Sequence, residues 1–393
     1  MNEIAEGYVK LVLAVGEHDS NYVDAYYGPE NWKIEVAATK PGLEEIRTEA
    51  NRLLAELYGM PDEGDEISKF RRRFLTRHLQ SLIARVIMLE GKELTFDEES
   101  WALYDAVAPA YPESYYKAIL ARLEAELPGP GALAERYEAF RRDFVIPVDR
   151  LDTVFQTAIN ACRERTLPNI PLPPGESFTV EYVKDKSWSG YNWYQGGYRS
   201  LIQVNIDLPI YIDRAIDLAC HEGYPGHHLY NALLEKNLVV DRGWQEFSVY
   251  PLNSPMSLIA EGSANYGIEV AFPGNERVEY EKRELFPLAG IDPAKADRYY
   301  RIHNIVRELA YAGNEAARRY LNGEITADQA AEWLTTYTLS EPARAKQRVR
   351  FFDTYRSYVI NYNLGKDLVR RHIEARGGTD DNPQKRWEEF ERL

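Results

Sequence analysis

Ser177-Phe178-Thr179-Val180-Glu181-Tyr182-Val183 alternates in polarity along its length. Phe178, Val180 and Tyr182 share one face, which predicts a half-buried strand. Ser200 to Ile206 (S-L-I-Q-V-N-I) predicts a second, and the Gly- and aromatic-rich Trp188 to Tyr198 reads as a long turn or hairpin between them. Upstream, Pro168, Pro171, Pro173, Pro174 and Gly175 form a rigid linker. Almost everything further out is helical. Leu43 to Leu57 places Leu43, Ile46, Ala50, Leu53, Leu54 and Leu57 near helical spacing. Helices are also expected over Phe70–Leu89, Trp101–Val107, Tyr115–Leu127, Ala132–Phe144 and Val148–Arg165, and from Pro209 onward. The fold class is therefore mainly α, with a small β-sheet beside the densest chemistry. Residues 1–167 read as an N-terminal helical layer and 168–393 as a metal-binding half, together one continuous body with a cleft.

Composition narrows the function. The 393 residues carry 47 Lys+Arg against 62 Asp+Glu, a formal charge of −15. Nucleic-acid binding needs basic patches, so no nucleic-acid partner is expected. A 45% hydrophobic share with 28% charged residues fits a globular chain. No stretch approaches the roughly 20 apolar residues of a membrane span. The first residues read as a helix interrupted by Lys10, Glu17 and Asp19, not as a signal peptide. Asn2 and the Leu393 end carry no lipidation motif. Cys162 and Cys220 are too few for a disulfide framework and fit a reducing compartment. A cytoplasmic protein without a membrane partner is expected.

Three of the seven histidines fall within Cys220-His221-Glu222-Gly223-Tyr224-Pro225-Gly226-His227-His228. The metal-hydrolase motif HExxH sets His at i and i+4 on one helical face, with Glu at i+1 beside the reacting water. Here Pro225 stands at i+4, and the next histidines are at i+6 and i+7. In an unbroken helix six residues turn through about 240° net, placing His227 on the wrong face. Pro225 and Gly226 break such a helix, so a bulge over Gly223–Gly226 absorbs the two extra residues. His228 is the alternative ligand: it shares the face of His221 but lies about 10.5 Å along the axis. The reading prefers His227 and leaves His228 to support the site or touch substrate. A zinc site needs a third protein ligand. Glu261 is the first acid of the helix Ser257–Ala271 and sits among Ala260, Gly262, Ser263 and Ala264, whose small size permits close helix approach. The plain alternative is a solvated helix acid.

H-E-G-Y-P-G-H-H followed by E-G-S-A-N-Y-G-I-E resembles a bacterial family labelled domain-of-unknown-function 885, with the pattern HE-x-x-PGHH and then EG-x-A-x-Y-x-x-E. The stretches G-E-H-D-S-N-Y-V-D-A-Y-Y-G-P and N-Y-N-L-G-K-D-L also look like family features, so the resemblance covers most of the chain. The family is regarded as zincin-like, akin to helical metallopeptidases of the thimet-oligopeptidase and thermostable-carboxypeptidase type. The resemblance implies Zn²⁺ (or another divalent ion) held by His221, His227 and Glu261, with Glu222 as general base. By the same analogy Tyr362 and Tyr355 are candidates to donate to the oxyanion. Glu269, Tyr266 and His303 complete the set of substrate-contacting or supporting residues, along with His228. Ser263 replaces a Trp frequent in the family, which implies an altered substrate pocket.

The leading expectation is a zinc metallopeptidase acting on small peptides. The alternatives are a metal-dependent hydrolase of a non-peptide amide, and a helical binding protein that keeps the motif without catalysis. A di-iron protein and a serine hydrolase are set aside for lack of Glu-x-x-His and G-x-S-x-G motifs. The strand Ser200–Ile206 has two readings of equal weight: one that pairs with an extended peptide, and a plain structural strand. His18 is read as ending the first helix, His78 and His372 as surface residues, and Cys220 as a small buried residue. Arg344 to Arg350 reads as a solvated face or a site for a substrate carboxylate.

Overall fold

The computed structural model describes residues 1–61, 64–186 and 188–393. Helices dominate, as the periodicities require. In the Leu43–Gly59 helix the buried residues are Ile46, Ala50, Leu53 and Leu57, the four-three-four spacing of a single inward stripe. The expected Trp101–Val107 helix is instead Phe96–Tyr104. Thr95 caps it and Glu98 bonds back to the Thr95 N–H, while Asp105 ends it in the left-handed region. The stop and start signals overrode the apolar spacing. The Val148–Arg165 segment opens as a short 3-10 turn and continues as the helix Leu151–Thr166.

The three-stranded sheet comprises β2 (Ser177–Val183), β3 (Gly190–Gly196) and β4 (Arg199–Asn205), in the order β2-β4-β3. β4 runs parallel to β2 and antiparallel to β3. The Trp188–Tyr198 stretch thus supplies one arm of a hairpin, turning at Gly196 and Gly197, both with positive φ. Of the two readings of Ser200–Ile206, the structure selects the plain structural one. β4 is the central strand, and both its edges are already hydrogen-bonded. β3 is the edge strand on the side of the cleft. A second ribbon pairs β1 (Val23–Tyr26) with β5 (Val249–Pro251).

The largest apolar cluster takes in Phe144, Val154 and Cys162 together with Ile216, Tyr299 and Trp387, so residues on both sides of position 167 share one core. Among the described residues no helix is long and apolar enough to cross a membrane.

His78 is buried, not on the surface. It stacks on Phe74 at 3.8 Å, its Nδ1 lies 2.9 Å from the Phe74 carbonyl, and Nε2 is buried with no hydrogen-bond partner among the described residues. The neighbouring arginines suggested a basic surface, but His78 lies on the inward side of the helix, with Leu75, Leu79 and Leu82. Burial pushes its pKa down from 6.5 to about 4. The neutral ring is favoured in the folded state, so this contribution is complete above pH 6.5 and lost as pH falls toward 4. Over that window the wild type should lose about 3 kcal/mol more stability than a His78→Leu variant. Urea unfolding of both proteins at pH 7 and pH 4.5 measures this, and parallel losses would remove His78 as the cause. His18 ends the first helix, with Nε2 2.8 Å from the Pro41 carbonyl, and His372 is exposed.

Candidate metal centre

The helix Asp213–Leu218 leads into a widened π turn over Ala219–Gly223. Tyr224 is extended, the Tyr224–Pro225 peptide is cis, and a new helix starts at His227 and runs to Leu234. The irregularity therefore begins beneath His221 itself, earlier than the expected bulge at Gly223–Gly226. The result brings the two rings together, with Nε2 of His227 3.1 Å from Nε2 of His221. Gly226 makes this turn passable. A Cβ there would lie 1.9 Å from the His221 carbonyl oxygen and 2.3 Å from that of Cys220.

Glu261 comes from the helix Pro255–Ala271. One of its oxygens lies 3.3 Å from His221 Nε2 and the other 3.8 Å from His227 Nε2. Ligating atoms of His221, His227 and Glu261 all fall within 4.8 Å of one another. Glu261 is buried, so it is no solvated helix acid. Its Oε2 has no hydrogen-bond partner among the described residues, while Oε1 accepts from Tyr358 Oη at 2.8 Å. Burial pushes the Glu261 carboxyl up, but His221, His227 and Tyr358 together hold it below its ordinary value. Burial also lowers His221, yet Glu261 and Glu222 carry it above the usual histidine value. His227 falls to about 4 through burial and the neighbouring His221 charge.

Glu222 is buried beside this cluster. Burial pushes its carboxyl up to about 7, with Glu261 adding to the rise and His221 opposing it. β3 packs against it: Asn192 Nδ2 donates to the Glu222 carbonyl at 2.7 Å, and a Cβ on Gly190 would lie 2.9 Å from Glu222 Oε1. Asp24 of β1 faces the same cleft and accepts from the Tyr191 hydroxyl. Burial raises Asp24 to about 7, and Glu261 and Glu222 push the same way. Sequence reasoning gave Asp24 and Tyr191 no role. Their only signal was that Asp24 falls within the family-like N-terminal stretch.

The other expected site residues divide. Tyr355 and Tyr362 line the cleft, a space of about 1300 Å³ that also holds His221, Glu222, His227 and Glu261. The Tyr362 ring is 5.8 Å from that of Tyr358, and its hydroxyl has no hydrogen bond among the described residues. Glu269 and His303 are on the cleft wall, outside the ligand cluster. Glu269 is engaged by Lys366 at 2.5 Å, Arg370 at 2.5 Å and Arg307 at 3.2 Å, which hold its carboxyl down to about 2 against the effect of burial. His303 stacks on Tyr299 and comes within 4.0 Å of Asp213.

Tyr266 is corrected, and of the two roles open to His228 the supporting one stands. Tyr266 lies in the apolar core, because five residues from Glu261 turn it about 140° away around the helix. His228 is sealed from the cleft and cannot touch substrate. Its Nδ1 lies 2.8 Å from Ser200 Oγ and its Nε2 3.0 Å from Glu176. Burial pushes Glu176 up, but bonds from His228, Tyr224 and Arg163 hold it down to about 2. This network secures the far side of the His227 helix to β4. Ser263 is buried, with its hydroxyl on the Ala260 carbonyl at 3.1 Å.

Solved structures share this architecture. A putative lipoprotein from Colwellia psychrerythraea matches with a TM-score of 0.50 and 14% identity, over 89% of this chain and 68% of that one. A chain known as BsuCP matches with a TM-score of 0.54 and 10% identity, over 100% of this chain and 89% of its own. The likeness is one of fold alone. No family model and no curated protein matches the chain.

Proposed function

We propose that the chain is a zinc-dependent hydrolase, a metallopeptidase that cleaves small peptides. The observation that carries this reading is the convergence of His221, His227 and Glu261 beside the Glu222 carboxylate. The donor set suits zinc: two imidazoles and one carboxylate, with a side of the cluster facing the cleft. The 3.1 Å and 3.3 Å separations are close to the about 3.3 Å expected between neighbouring ligands of a tetrahedral zinc. The buried Glu261 Oε2, which makes no hydrogen bond among the described residues, fits the same group. A zinc ion supplies a Lewis acid and a lower pKa for water.

The chain's own residues supply the rest. Glu222 takes the proton of the attacking water and hands it to the leaving amine. The Tyr362 hydroxyl is free to donate to the developing oxyanion, and Tyr355 lines the same wall. Tyr358 positions Glu261. β3, the edge strand at the cleft, is the one that can align an extended peptide through Gly190–Asn192. The resemblance to the domain-of-unknown-function 885 pattern supports the same assignment.

Metal analysis of the purified protein tests the site. About one zinc per chain is expected, with loss in His221→Ala and in Glu261→Ala. Substoichiometric metal in the wild type, or metal unaffected by His221→Ala, would sink the assignment. A peptide library then separates a peptidase from a hydrolase of other amides.

A further inference from the structure

The helix Pro342–Tyr355 carries Arg344 and Arg348 one turn apart on the cleft wall. Other cations there have acids: Arg307, Lys366 and Arg370 share Glu269, and Arg214 meets Asp217 at 3.3 Å. Arg344 and Arg348 differ. Among the described residues neither makes an ion pair or a hydrogen bond. The Arg348 guanidinium lies over the Phe351 ring at 4.6 Å and that of Tyr362 at 5.9 Å. Burial pushes it below the usual arginine value, with Tyr362 opposing. Arg344 is lowered first by burial and then by the like charges of Arg141 and Arg214, against Tyr211 and Glu138. A desolvated cation without a counter-ion is unfavourable, and two of them in one cleft mark a place for an anion.

Their position fixes which anion. The Tyr362 ring leads through Tyr358 to Glu261, so Arg348 is the guanidinium connected to the ligand cluster and Arg344 stands one turn further along. Side chains four apart on a helix start about 5–6 Å from each other. That spacing suits the two carboxylates of a single acidic residue, each received by a guanidinium fork.

We propose that the cleft takes peptides ending in Asp or Glu, with Arg348 on the α-carboxylate and Arg344 on the side-chain carboxylate. This deepens the peptidase reading and rests on it for the scissile bond, but the binding itself needs no hydrolysis. Titration calorimetry of the purified protein with N-acetylglutamate, N-acetylglutamine and the α-amide of N-acetylglutamate tests it. N-acetylglutamate should bind at least tenfold tighter than either analogue. Arg344→Gln should erase the glutamate-over-glutamine preference and keep the preference for a free α-carboxylate; Arg348→Gln should do the reverse. Equal wild-type affinities, absence of binding, or a preference unchanged in Arg344→Gln would overturn the proposal. The wild-type ligand series stands without any variant, and zinc content with circular dichroism reports whether each variant is folded. If the binding pattern holds while no peptide is cleaved, the peptidase reading fails and the anion site stands. If peptides are cleaved without regard to a C-terminal acid, the anion site fails alone.

Discussion

A Glu222→Gln variant is expected to hydrolyse any peptide that the wild type cleaves 10²–10⁴-fold more slowly, the range for loss of a positioned general base. The substitution keeps the volume and the backbone bond from Asn192 Nδ2 to the Glu222 carbonyl. It removes the only change that matters, the capacity of the side chain to accept a proton. Because Glu222 is not one of the three converging ligand residues, zinc content should stay near one per chain. The fall should appear in kcat and leave KM nearly unchanged. Products formed at the wild-type rate, with zinc retained, would remove Glu222 from the mechanism. A parallel loss of zinc would instead mean that Glu222 supports the ligands.

Gly226→Ala should have the second large effect, on the site's assembly. The obstacle is space. The new methyl group would meet the His221 carbonyl oxygen at 1.9 Å, a backbone atom of the residue that the turn brings beside His227. Relief requires moving one histidine from the other. We expect zinc to drop well below one per chain and the fold to lose about 1–3 kcal/mol, the usual cost of overpacking. Metal analysis and thermal unfolding together check this, and a variant that binds a full zinc would show that the turn has slack.

Much of the architecture was legible because its signals are local. The alternation of Ser177–Val183 and Ser200–Ile206 gave β2 and β4 nearly to the residue. What alternation cannot carry is pairing order, so the central place of β4 shows only in the structure. β1 and β5 are short, and their partners lie more than 200 residues apart, so neither strand announces itself. In the site, the i+6 spacing with Pro225 and Gly226 pointed to a broken helix and to His221 with His227. Tyr266 rested on the family-like pattern, which says nothing of direction around a helix, and the face that His228 shares with His221 in an unbroken helix is lost where the chain breaks at Tyr224–Gly226. Tyr358, whose hydroxyl holds Glu261, was one of several tyrosines in its region. Only the tertiary packing singles it out.

The helices Pro255–Ala271 and Ile360–Glu374 cross with two glycines in contact. A Cβ on Gly262 would lie 2.4 Å from the Gly365 carbonyl carbon, and one on Gly365 would lie 2.5 Å from the Leu258 carbonyl oxygen. With no side chain between the backbones, the pair has no cushion through which to slide. Glu261 and Tyr362 therefore travel as one plate, and breathing of the cleft must come from the opposite wall. The offset from Glu261 to Tyr362 becomes a ruler of fixed length, and a substrate is gauged against it by how far its end reaches.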